Sequence, residues 1–194
     1  MRHGASEYMH WAKTRQSATY NLAVSGVPAV GRDEVAGCLD GLELNGGGGY
    51  GWPPLQAALA RHLGVPEDRV VQAAGTSMAN HLALAVGLSP GDQVLVESPG
   101  YGLLADLARY LGAEVRFFPR RREAGWQPDV QEVRGGLTGR TRWIVLTDLH
   151  NPSSARLAEE RLVEVAGLAA EAARPNSKGH GIGVGNTRRR LEQL

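Results

Sequence analysis

Four short segments carry residue types that suit a flat, phosphorylated ligand. Gly75-Thr76-Ser77 lies where an expected strand gives way to an expected helix. A helix N-terminus offers unpaired amides and a partial positive charge, which together make a phosphate site, and two hydroxyls add donors. The same residues also read as a plain helix cap, since Ser and Thr are favoured there. Ser98-Pro99-Gly100-Tyr101 follows the next strand, at the C-terminal edge where open α/β sheets bind ligands. Tyr101 there can stack on a flat ring or serve ordinary packing. His150-Asn151-Pro152 follows a later strand. Asn151 can donate a hydrogen bond to a ring oxygen and Pro152 stiffens its backbone, though Asn-Pro alone is usually just a turn. Tyr50 sits in the glycine run Gly46–Gly51, either as a phosphate-reaching hydroxyl or as an exposed loop residue.

The elements that must position these residues alternate in type. Residues 1–20 read as an arm or short helix, and 33–40 as another short helix. Pro53-Pro54 opens a helix with Leu55, Ala58, Leu59, His62 and Leu63 at helical spacing, stopped by Gly64. Strands are expected at 69–73, 92–97, 114–118 and 143–147. Helices are expected at about 77–86, 101–111, 128–137 and 156–172, with a polar loop over 119–127. Strands alternating with helices imply β-α-β units and an α/β fold: a three-layer α/β/α arrangement with a mostly parallel sheet covered on both faces.

Composition excludes several classes. The chain has 194 residues and a formal net charge of +1 from 21 basic and 20 acidic residues, so no general attraction to nucleic acid or an anionic membrane is expected. The runs Arg120-Arg121-Arg122 and Arg188-Arg189-Arg190 are read as solvated faces. Cys38 is the only cysteine; it is expected to be buried or inert, and it fits a reducing compartment. No apolar stretch is long enough for a membrane span and no signal core opens the chain, so a cytoplasmic location is expected. No metal site is apparent.

In combination the segments resemble the class I/II aminotransferases, the fold type I enzymes that use pyridoxal 5′-phosphate (PLP). The matching pieces are Tyr50-Gly51 leading into Leu55–Leu59, Ala74-Gly75-Thr76-Ser77, the run from Leu88-Ser89-Pro90-Gly91-Asp92 through Glu97-Ser98-Pro99-Gly100-Tyr101, and Leu146-Thr147-Asp148-Leu149-His150-Asn151-Pro152-Ser153-Ser154. Ser153-Ser154 replaces the usual Thr-Gly of the family. The resemblance implies an incomplete large domain over 21–172, with PLP as cofactor and amino acids and 2-oxo acids as substrates. It implies that Gly75, Thr76 and Ser77 hold the phosphate, Tyr101 stacks on the pyridine ring and Asn151 bonds the ring's phenolic oxygen. Tyr50 would reach the phosphate of the neighbouring subunit of a homodimer, and Gly26 would lie near the substrate.

The same resemblance marks what is missing. The family's aspartate for the pyridine nitrogen, its cofactor-bearing lysine and its substrate arginine find no counterpart. The only lysines are Lys13 and Lys178, and Lys178 follows Asn151 too closely for the intervening strands of the family. The stretch Gly179–Leu191 instead resembles the glycine-rich box of histidine-kinase-type ATPase domains, without that family's other boxes. The expectation is therefore a truncated aminotransferase that is inactive as this chain, with an N-terminal arm (1–20) and an unrelated glycine- and arginine-rich tail (173–194). The alternative is a non-catalytic PLP-binding remnant or fusion fragment. A nucleotide-binding module using Gly75–Ser77 ranks last, for want of a Gly-x-Gly-x-x-Gly turn.

Overall fold

The computed structural model describes residues 7–15, 19–20, 29–42 and 51–172. Tyr50, Gly26, the glycines 46–49, Lys178 and the 173–194 tail lie outside the described residues. The chain divides into two compact units, Ala12–Ala79 and Met1–Trp11 with Asn80–Leu194, and each is taken by itself.

Helix α1 covers Glu7–Thr14. In the first unit a 3-10 turn, Arg32–Val35, runs into the short helix α2, Ala36–Leu39, where Cys38 is exposed rather than buried. Helix α3, Pro53–Leu63, starts on its proline pair and is closed by Gly64, whose N–H reaches the Ala60 and Arg61 carbonyls. The strand expected at 69–73 does not form. A 3-10 turn occupies Glu67–Arg69, and residues 70–73 run without a ladder. Side chains secure this stretch instead. Gln56 Nε2 donates to the carbonyls of Glu67 at 2.8 Å and Val70 at 3.2 Å. Gln72 brackets Trp52, accepting from its N–H at 3.2 Å and donating to its carbonyl at 3.0 Å. Val71 is left 77% exposed. Val70-Val71 favours extended backbone, but a strand exists only by pairing, and no described strand pairs with it. Helix α4, Gly75–Gly87, follows, two residues earlier than the spacing predicts.

The second unit is built on three parallel strands: β1 (Gln93–Ser98), β2 (Glu114–Pro119) and β3 (Thr141–Val145), in the order β2-β1-β3. The crossovers are helix α5 (Gly102–Tyr110) between β1 and β2, and helix α6 (Val130–Gly136) between β2 and β3. The loop over 119–127 includes a 3-10 turn at Arg122–Ala124 and a bridge between Arg120 and Pro128. Helix α7 covers Glu159–Ala172. The α/β class and the covered parallel sheet match the expectation.

Strand periodicity explains the layers. Val94 and Val96 pack with Ala105 and Ala108 of α5 and with Ala113. Leu95 points the other way, against Phe118, Val133 of α6, and Val165 and Leu168 of α7. Side chains alternate along a strand, so a central strand covered on both faces must be apolar almost throughout. Burying each of these Val and Leu side chains contributes about 1.5–3 kcal/mol. The polar member at the start of β1, Gln93, is fully buried and satisfied. It donates to the Gly136 carbonyl at 2.9 Å and to Thr141 Oγ1 at 2.8 Å, and accepts from Thr138 Oγ1 at 2.9 Å. That trio fixes where β3 begins beside β1.

Candidate functional site: the C-terminal rim of β1 and β3

Because β1 and β3 are adjacent and parallel, the segments that leave their C-terminal ends emerge on one rim. From β1 the chain passes through a cis Ser98–Pro99 bond to Gly100, and Tyr101 caps α5 with extended backbone. A Cβ on Gly100 would stand 2.7 Å from the Glu97 carbonyl oxygen, so only glycine fits this bend. From β3 the chain runs through Thr147 to Pro152, with cis bonds at Asp148–Leu149 and Asn151–Pro152. Leu157 N–H donates to Asp148 Oδ1 at 3.0 Å and holds the exit of this loop.

Two buried clusters fasten the two loops to each other. The first centres on His150, which is only 1% exposed. Its Nε2 lies 2.9 Å from the Pro99 carbonyl and its Nδ1 2.6 Å from Ser153 Oγ, and Trp126 lies against the ring at 5.5 Å between centroids. The second centres on Glu97, the last buried residue of β1. Its Oε2 accepts from Arg120 Nη1 at 2.5 Å. Its Oε1 accepts from the Thr147 N–H at 2.8 Å and the Thr147 hydroxyl at 2.6 Å. Thr147 Oγ1 in turn accepts from the Asn151 N–H at 3.0 Å. Arg120, with no exposed side-chain surface, also donates from Nε to the Trp126 carbonyl, while its Nη2 is buried without a hydrogen-bond partner among the described residues. Burial lowers the Arg120 pKa below its ordinary value, and the Glu97 carboxylate opposes that shift.

The structure thus brings Tyr101 and Asn151 onto neighbouring loops of one rim. Tyr101 is half-buried, and its hydroxyl donates to Met9 Sδ of α1 at 3.3 Å. Asn151 is exposed, its backbone tied to Thr147, and its side-chain amide makes no hydrogen bond with another described residue. Gly75, Thr76 and Ser77 form the first turn of α4 and are exposed. Gly75 takes φ +82°, a left-handed conformation suited to glycine, so the chain reverses into the helix with its first amides unused by the helix itself. The expected strand before that turn is absent, so the phosphate-type turn does not share with the other two segments the strand-end setting that the spacing predicts.

Four residues of the rim have roles that the motifs did not assign: Glu97, Thr147 and His150, which lie within the matched segments, and Arg120, which does not. Arg120 corrects the expectation of a solvated arginine run, because Arg121 and Arg122 are exposed while Arg120 is buried. The signal in the sequence was Glu97, a carboxylate ending an otherwise apolar strand, which demands a buried cation or donors. Among the described residues no helix is long and apolar enough to cross a membrane, and no group of three or more His, Cys, Asp or Glu could hold a metal ion.

A parallel α/β sheet with two loops joined on its C-terminal rim has the architecture in which open α/β proteins place their ligands. The sequence pattern of the family "Aminotransferase class I and II" matches residues 28–175, more than half of the chain, and the chain belongs to that family. It is 37% identical over 133 residues to capreomycidine synthase of Streptomyces vinaceus, covering 68% of this chain and 34% of that protein. It is 34% identical over 128 residues to aspartate/prephenate aminotransferase of Thermus thermophilus, covering 62% and 33%. Among solved structures, a PLP-dependent aminotransferase from Streptococcus suis superposes with TM-score 0.63 at 30% identity over 73% of this chain and 38% of that one. The aspartate aminotransferase from Thermus thermophilus with maleate superposes with TM-score 0.61 at 31% identity, over 63% and 34%. The chain spans about a third of the length of these relatives. Class I and II aminotransferases depend on PLP.

Proposed function

We propose that this chain is a PLP-binding portion of an aminotransferase, in which the β1 and β3 rim loops grip the cofactor ring. The single observation that carries the reading is the pinning of the Tyr101 and Asn151 loops to each other through His150 and Glu97. A ring that is stacked on one face and hydrogen-bonded at its edge needs both groups held at a fixed separation. The donor chemistry fits the group: an aromatic face at Tyr101, an amide donor at Asn151, and an exposed helix start with two hydroxyls at Gly75, Thr76 and Ser77.

In this reading Tyr101 stacks on the pyridine ring and Asn151 donates to its phenolic oxygen. The first turn of α4 receives the phosphate through backbone N–H groups and the Thr76 and Ser77 hydroxyls. Tyr50 reaches the phosphate from a second copy in a homodimer, and Gly26 lies beside the substrate. When bound, PLP supplies an electron sink through which an amino group passes between an amino acid and a 2-oxo acid. That chemistry also needs a desolvated amine next to the cofactor, and the lysines of this chain are Lys13 and Lys178. We therefore expect this chain by itself to bind PLP without transferring amino groups. The working division keeps 1–20 as an arm, 21–172 as the aminotransferase portion and 173–194 as a tail of separate origin, in a cytoplasmic protein.

Titration of the full chain with PLP, followed by the cofactor's absorbance and by quenching of tryptophan fluorescence, tests this. Saturable binding is expected, weakened roughly tenfold by Tyr101→Ala or Asn151→Ala. Binding that both substitutions leave untouched would sink the site. Borohydride reduction that fixes PLP on Lys178 would overturn the expectation of an inactive chain.

A further inference from the structure

We propose that Glu97 and Thr147 are positioning residues: a relay that starts in the buried Arg120–Glu97 pair and runs through the Thr147 hydroxyl to the rim surface fixes the backbone of Asn151. The importance of Asn151 rests on the PLP reading above; the relay itself rests on geometry. The donors determine its direction. Arg120 Nη1 and the Thr147 N–H can only donate, so both Glu97 oxygens are acceptors. The Thr147 hydroxyl spends its one proton on Glu97 Oε1, at 2.6 Å. Its oxygen is then left to accept from the Asn151 N–H at 3.0 Å. Each bond thus sets the polarity of the next, and a negative charge at Glu97 strengthens them all. Arg120 sets its guanidinium against that carboxylate in a site with 1% or less side-chain exposure.

This arrangement gives two isosteric tests. Glu97→Gln places an amide N–H₂ against either Arg120 or Thr147, two donors facing each other, and so must break one arm. Thr147→Val keeps the shape and the backbone N–H bond to Glu97 but removes the hydroxyl, which is both a donor to Glu97 and the acceptor for Asn151, whereas Thr147→Ser keeps the hydroxyl.

The experiment measures amide hydrogen exchange at single residues in the full chain without ligand, and PLP affinity in the same variants. Thr147→Val is expected to speed exchange at Asn151 by about tenfold while Val94 to Val96 exchange as before, and Thr147→Ser is expected to restore protection. PLP affinity is expected to fall about tenfold in Thr147→Val and to recover in Thr147→Ser. Unchanged exchange at Asn151, or a uniform rise that includes Val94 to Val96, overturns the relay. Normal PLP affinity in Thr147→Val overturns it as well. If the unaltered chain binds no PLP, the cofactor reading fails, and the exchange data still decide for or against the relay. Should Glu97→Gln fail to fold, the Thr147 pair carries the test.

Discussion

The ring of His150 bonds the carbonyl of Pro99 at 2.9 Å, joining the loop after β3 to the loop after β1. A carbonyl only accepts, so Nε2 carries the proton, and in the neutral ring Nδ1 must then accept from the Ser153 hydroxyl at 2.6 Å. His150→Leu leaves the Pro99 carbonyl and the Ser153 hydroxyl without that partner. We predict a loss of about 2 kcal/mol in urea denaturation, with a change in Trp126 emission because the two rings are in contact. An unchanged denaturation midpoint would remove His150 as the clamp.

The ion pair of Glu97 and Arg120 is fully buried, so its halves should behave unequally when removed. Arg120→Leu strands a buried carboxylate and is predicted to cost about 3–5 kcal/mol. The double change Glu97→Leu with Arg120→Leu removes both charges and is predicted to be the more stable of the two, despite the lost bonds to Thr147. A double variant as unstable as the sum of its single changes would show that the charges are not coupled.

Glycines at two positions should respond in opposite directions. Gly100→Ala drives a methyl to within 2.7 Å of the Glu97 carbonyl oxygen, and backbone must move. The predicted loss is about 1–3 kcal/mol, together with weaker PLP binding through the displaced Tyr101. Gly135→Ala, in α6, meets nothing within 4 Å and should raise stability by about 0.5–1 kcal/mol through helix propensity. Thermal melts followed by circular dichroism compare the two directly.

Asp129 caps α6, its Oδ1 accepting from the N–H groups of Gln131 at 2.8 Å and Glu132 at 3.3 Å. Asp129→Ala is predicted to cost about 1 kcal/mol and Asp129→Ser much less, as chemical denaturation would show. Equal losses in both would mean that the side chain acts otherwise than as a cap.

The sequence by itself determined the parallel α/β order over 93–172. Apolar strands such as Val94-Leu95-Val96, proline and glycine punctuation at Ser89-Pro90-Gly91 and Ser98-Pro99-Gly100, and the helical spacing of the crossovers are local signals with local causes. The same local chemistry marked Tyr101 and Asn151 as rim residues, because both follow strands. The tertiary structure decided what no local pattern encodes. Whether Val70-Val71 becomes a strand depends on a partner elsewhere, and no described strand supplies one. Whether Arg120 is surface or core depends on where Glu97 points after β1 and β2 pair in register, a choice that separates it from Arg121 beside it. The joining of the Tyr101 loop to the Asn151 loop through His150, Pro99 and Thr147 likewise arises only once β3 docks beside β1. Pairing and burial are relations between residues far apart in the chain: the position of Glu97 signals that it needs partners, but that Thr147 and Arg120 are those partners has no signature in any one segment.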